Sequence, residues 1–141
     1  MFDHFLHGNP CKSVDVFLSA LPLRGSKEKI CWTNQQKING YKQQDIDKKL
    51  LNNEKIINLK YIIDKLIETK VICYYCNCKM NILYENVRES KQWTVDRINN
   101  DLGHNIDNIV LACLDCNLKR RCKSADKFLF TKQLNIIRQD N

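Results

Sequence analysis

Between Asn53 and Lys70 the apolar residues Ile56, Leu59, Ile62, Ile63, Leu66 and Ile67 recur at three- and four-residue steps, the pattern of a helix with one buried face. Asn52 or Asn53 can cap its start, Glu54 suits the first turn, and Lys70 suits the last. Further on, Trp93, Val95 and Ile98 alternate with polar residues as in a half-buried strand. The run Asn99-Asn100-Asp101-Leu102-Gly103 has turn chemistry, with Gly103 free to take a positive φ. Ile109-Val110-Leu111-Ala112 reads as the returning strand, and residues 114–123 as a helix. From Lys127, the residues Phe128, Leu129, Phe130, Leu134, Ile136 and Ile137 predict a terminal helix that covers the core. The first 52 residues carry little pattern: Val14 to Leu18 suits a short helix or strand, Gly25 to Gly40 is polar apart from Cys31-Trp32, and a charged run follows Gly40. The chain therefore divides into a weakly patterned segment, 1–52, and a better-defined domain, 53–141.

Eight cysteines change this picture more than any periodicity does. Cys73-Tyr74-Tyr75-Cys76 and Cys113-Leu114-Asp115-Cys116 are two Cys-x-x-Cys knuckles separated by 36 residues. Each such turn places two sulfurs on one edge of a tetrahedron, and two of them close a zinc site. An even cysteine count also raises a disulfide framework. No basic start followed by a long apolar run is seen at the N-terminus, and no stretch approaches the roughly 20 apolar residues of a membrane span. An intracellular, reducing compartment is therefore expected, where paired knuckles hold metal rather than bond to each other. With all four ligands thiolates, the zinc is expected to be structural. Cys78 could stand in for Cys76; Cys11, Cys31 and Cys122 are read as free thiols, and His4 and His7 receive no ligand role.

Charge adds a partner. The formal net charge is +7, with the excess spread over both halves, which favours a polyanion. Asn117, Arg120 and Arg121 are spaced i, i+3, i+4 on the predicted helix, and with Lys119 and Lys123 they could meet backbone phosphates. Nothing in the pattern reads bases.

The two knuckles, together with Trp93-Thr94-Val95-Asp96-Arg97-Ile98, Gly103-His104, Asp107-Asn108-Ile109-Val110 and Cys116-Asn117-x-Lys119, resemble the HNH endonuclease family. More closely they resemble its Asp-Arg-Ile-Asp-Asn branch, found in phages and large DNA viruses. The resemblance covers Cys73 to Lys123, and less specifically the lead-in from Gly40-Tyr41-Lys42 to Asp45. It implies an α+β, ββα-metal (treble-clef) domain stapled by zinc, here preceded by a mainly helical N-terminal segment. It also implies metal-dependent hydrolysis of phosphodiester bonds in DNA, with a 5′-phosphate product. Carried over by position, Asp96 and Asn117 match the ligands of a catalytic Mg²⁺ or Mn²⁺, and Asn108 matches the asparagine that ties down the loop between the strands. Hard oxygens and phosphate suffice for such an ion, which keeps most of its waters.

One position departs from the family. Where a histidine base usually follows the acid, this chain has Arg97, which stays protonated and cannot accept a proton. Arg97 can clamp the phosphate instead, leaving His104 as the leading candidate base, with Tyr74, Tyr75, Tyr84 or a water relay as alternatives. The rival expectation is a catalytically degenerate, zinc-stapled nucleic-acid-binding module, or an assembly component that meets a protein partner through residues 1–70.

Overall fold

The computed structural model describes residues 27–134, with side chains from residue 34 onward. Residues 1–26 and 135–141 lie outside it, and with them the Val14–Leu18 element, His4, His7, Cys11, Ile136 and Ile137. The described residues form a mixed α+β fold in which a two-stranded antiparallel sheet packs against helices. In chain order these are α1 (Lys27–Asp47), α2 (Leu59–Glu68), β1 (Trp93–Arg97), β2 (Ile109–Cys113), α3 (Leu114–Arg120) and α4 (Ala125–Gln133). No helix among them is long and apolar enough to cross a membrane.

The strands pair from Trp93 opposite Cys113 to Arg97 opposite Ile109. They are buried more completely than alternation suggested: every residue from Trp93 to Asp96 and from Ile109 to Cys113 is inside. The sheet is covered on both sides, so its polar positions need internal partners. Thr94 Oγ1 donates to the Ala112 carbonyl at 2.8 Å, and Tyr41 accepts from the Val95 amide at 3.1 Å.

Helix α2 supplies Ile62, Ile63 and Leu66 to the core but starts later than its periodicity implied. Asn58 is the cap, accepting from the Tyr61 amide at 2.8 Å, whereas Asn52 turns back on the Glu54 amide. Between them the chain first turns, with the amides of Lys55 and Ile56 donating to the Asn52 carbonyl, and then extends: Ile56 bridges to Asn105, and the Ile57 amide donates to the His104 carbonyl at 3.0 Å. The helix closes through the Val71 amide on the Leu66 carbonyl, with Lys70 and Val71 both at positive φ (55° and 59°). Lys70 thus lies beyond the last turn rather than in it. Helix α3 likewise stops short, because Arg121 turns to φ 52°. Ser124 caps α4, which buries Phe128 and leaves Phe130 exposed.

The weakly patterned N-terminal region contains the longest helix. The side of α1 that meets the sheet carries Asn34, Lys37, Ile38, Tyr41 and Asp45, at helical spacing but mostly polar. Lys37 Nζ donates to the Trp93 carbonyl at 2.6 Å and lies over the Trp93 and Tyr84 rings. Contacts therefore cross the 52/53 boundary drawn from the hydrophobic pattern.

Gly103 explains itself by space rather than by a positive φ. A Cβ there would stand 2.7 Å from the Leu50 carbonyl oxygen and 2.8 Å from Asp45 Oδ2. Neither neighbour is a flexible chain end, so Gly103→Ala should cost about 1–3 kcal/mol in urea unfolding. An unchanged midpoint would show that α1 gives way easily.

Candidate metal centre and its neighbouring polar network

The first knuckle is a tight hairpin. The Cys73 amide donates to the Cys78 carbonyl, the Asn77 amide donates to the Cys73 carbonyl, and Asn77 sits at φ 58°, a conformation asparagine tolerates well. Asn77 is a requirement that Cys-x-x-Cys spacing does not announce, although an asparagine directly after a knuckle is a readable hint. The second knuckle lies where β2 passes into α3, with Cys113 both the last strand residue and the residue before the helix.

Together they bring Cys73, Cys76, Cys113 and Cys116 into a cluster whose sulfurs all lie within 4.8 Å of one another. Sulfurs about 2.3 Å from one zinc in a tetrahedron lie roughly 3.8 Å apart. Cys76 and Cys113 are at 3.9 Å. The Cys113 amide points at Cys73 Sγ, 3.3 Å away, and can stabilise a thiolate there. The four cysteines thus form a site capable of holding a structural zinc ion, and Cys78 lies outside the set. Without a metal, the hydrogen bond with Cys113 and burial push the Cys73 thiol up to about 12, and burial with the Cys73 charge does the same for Cys116. Metal uptake must therefore release protons. The six described cysteines are all free thiols, with Cys122 exposed.

Beside this cluster runs a buried polar chain. Tyr75, inside the first knuckle, donates to Asp96 Oδ2 at 2.5 Å, and Arg120 Nη1 meets the same oxygen at 2.7 Å. Burial and the Asp96 carboxylate push the Tyr75 phenol strongly up, so it stays a donor. Arg120 is 1% exposed and also donates to the carbonyls of Arg97, Ile98 and Lys123. This corrects the expectation that Arg120 faces phosphate. All three nitrogens of its guanidinium are engaged, because a buried Asp96 requires a charged partner and the ends of β1 and α3 leave carbonyls to satisfy. Arg121, expected on one face with Asn117, falls off the helix end.

Asn117 projects from α3, its amide nitrogen donating to Thr94 Oγ1 at 3.0 Å and the Val95 carbonyl at 3.3 Å. Neither Asp96 Oδ1 nor Asn117 Oδ1 has a hydrogen-bond partner among the described residues. Neither is sealed from solvent, as Trp93 Nε1 and Asn105 Oδ1 are. Asp96 and Asn117 are thus each tied by one atom and open at an oxygen.

Asn108 laces the loop between the strands: its Nδ2 donates to the carbonyls of Asn99 and Gly103, and its Oδ1 accepts from the Asn99 amide. Arg97 turns toward the same loop, donating from Nη1 to the carbonyls of Asn100 and Leu102. His104 is 4% exposed, and its Nδ1 lies 2.7 Å from Asp45 Oδ1. Burial, with the positive charges of Arg97 and Lys48, lowers its pKa against the pull of Asp45, so the ring is neutral at neutral pH. Lys119 is paired with Asp115, while Arg121 and Lys123 are exposed and meet no acid among the described residues.

No protein-family model and no solved structure matches this chain. Seventy of its residues are 37% identical to part of an uncharacterized protein of Acanthamoeba polyphaga mimivirus. That match takes in 50% of this chain but only 11% of the viral protein. It identifies a shared segment, not an activity.

Sequence reasoning missed Asp45, Tyr75 and Thr94 as partners of the candidate site residues. Tyr75 was visible as the interior of a knuckle, and Asp45 as the end of the Gly40 lead-in. Thr94 carried no signal.

Proposed function

We propose that this domain is a zinc-stapled nucleic-acid-binding module that lies on the phosphate backbone with the end of α3. What supports the reading is the unpaired Arg121 and Lys123 just beyond Asn117, on a chain of net charge +7. The test is fluorescence anisotropy of labelled duplex and single-stranded DNA across a salt series. Affinity should fall steeply with salt, and Arg121→Gln/Lys123→Gln should lower the slope by about 0.9 per lost phosphate contact on duplex. Salt-insensitive or absent binding would discard this reading in favour of a protein-assembly role.

A second reading, metal-dependent phosphodiester hydrolysis of the HNH type, is favoured by the two open oxygens. One carboxylate and one amide oxygen, completed by water and a substrate phosphate, suit Mg²⁺ or Mn²⁺. Such an ion would stabilise charge on the scissile phosphate. The chain's own contribution is orientation: Tyr75 and Arg120 hold Asp96 by Oδ2, and Thr94 and the Val95 carbonyl hold Asn117 by its nitrogen. Arg120 also neutralises Asp96, so any ion is expected to bind weakly without substrate. Nicking of supercoiled plasmid with Mn²⁺, lost in Asn117→Ala while DNA binding persists, would separate hydrolysis from binding alone. A wild type that nicks no DNA leaves the binding module.

A further inference from the structure

We propose that Asp45 is a positioning residue for His104, fixing the imidazole proton on Nδ1 so that Nε2 is offered as the proton acceptor of the candidate site. This rests on the hydrolytic reading. Asp45 is fully buried, and each of its oxygens serves the same residue: Oδ1 faces His104 Nδ1 and Oδ2 accepts the His104 backbone amide, both at 2.7 Å. Two contacts to one residue fix the ring's rotation as well as its position. An ionised carboxylate can only accept, so Nδ1 must carry the proton, and in the neutral ring the lone pair then lies on Nε2.

Tyr41, one turn before Asp45 on α1, packs its ring on the imidazole at 4.8 Å, and its hydroxyl accepts from the amide of Val95, next to Asp96. One helix thus orients the histidine and ties it to the strand that bears the acid. Gly103 lets the Asp45 carboxylate come this close, since any Cβ there would collide with it. Nε2 has no partner among the described residues and is not among the sealed polar atoms. The charged and titratable groups around the ring are Asp45, Tyr41, Arg97 and Lys48. Of these only Asp45 favours protonation, and burial opposes it, which leaves an unprotonated base at neutral pH. In the step served, water bonds through oxygen to phosphorus and gives one proton to Nε2. The bond from phosphorus to the leaving sugar oxygen breaks, and that oxygen takes a proton from solvent.

The experiment uses the full zinc-loaded chain and long-range ¹H–¹⁵N imidazole spectra of wild type and Asp45→Asn, alongside plasmid nicking in Mn²⁺ against pH. The expected wild-type spectrum shows His104 with its proton on Nδ1 and a midpoint below 6.5. In Asp45→Asn the side-chain amide can donate to Nδ1, so the proton should move to Nε2. Nicking should then fall by about 10²–10⁴-fold while DNA affinity stays the same. The acid limb of the wild-type pH profile should follow the His104 midpoint and vanish from the residual activity of His104→Gln. A wild-type ring protonated on Nε2 overturns the proposal even if Asp45→Asn fails to fold. So does an Asp45→Asn protein that moves the proton but nicks as wild type does. A wild type that nicks nothing overturns the hydrolytic reading, while the two spectra still decide whether Asp45 sets the tautomer.

Discussion

Stripping zinc from this protein is expected to unfold it outright. The cluster joins the first knuckle to the junction of β2 and α3, and three of its four cysteines are fully buried. A structural Cys₄ site contributes an apparent 10–16 kcal/mol at neutral pH, as much as the whole stability of a typical domain. Four buried thiols gathered without a metal offer nothing comparable. Circular dichroism melts with and without a strong chelator, alongside colorimetric zinc release, would give one zinc per chain and loss of the folded signal on its removal. Cys113→Ser should reproduce that loss, because it removes a buried sulfur of the cluster at the point where β2 passes into α3. Cys122→Ser, at an exposed thiol outside the cluster, should lie within about 0.5 kcal/mol of wild type. A chelated protein that melts like the untreated one would remove the metal from this account.

Arg120→Ala is the second large effect, expected at about 3–5 kcal/mol. The substitution leaves the Asp96 carboxylate buried with only Tyr75 beside it, and strips partners from the carbonyls of Arg97, Ile98 and Lys123. Arg120→Lys should recover only part, since an ammonium cannot span acceptors set out for a planar fork. Pairing Arg120→Ala with Asp96→Asn in a double-mutant cycle should show strong coupling, because removing the acid relieves the charge that Arg120 balances. Urea unfolding reads the four proteins of the cycle and Arg120→Lys alike. An Arg120→Ala protein of unchanged stability but weaker DNA binding would return this residue to the surface role that its helical spacing suggested.

The sequence made plain those parts in which residue type and short spacing do the chemistry. Cysteine pairs with two residues between them need no distant information, and the two strands are short, β1 alternating and β2 apolar, with the turn residues Asn99 to Gly103 between them. The start of α2 was less legible because Asn52, Asn53 and Asn58 are all acceptable caps, and only the pairing of Ile56 with Asn105 excludes the earlier ones. Helix α1 was hidden for a different reason. Its inward residues are Asn34, Lys37, Tyr41 and Asp45 alongside Ile38, so hydrophobic periodicity has little to report. Arg120 and His104 were found by residue type but not placed, since each is defined by an acid far off in the chain: Asp96 for one, Asp45 for the other.

The reach of α1 sets where this protein can be cut. A fragment beginning at residue 53 would retain both knuckles and the entire hairpin. It would also lose Ile38 from the core, the lysine over Trp93, the hydroxyl on the Val95 amide and the carboxylate under His104. The smallest autonomous folding unit therefore starts ahead of Asn34. A protease that nicks the exposed turn at residues 52–55 should leave α1 attached to the rest of the domain, because the contacts that helix makes hold across the cut.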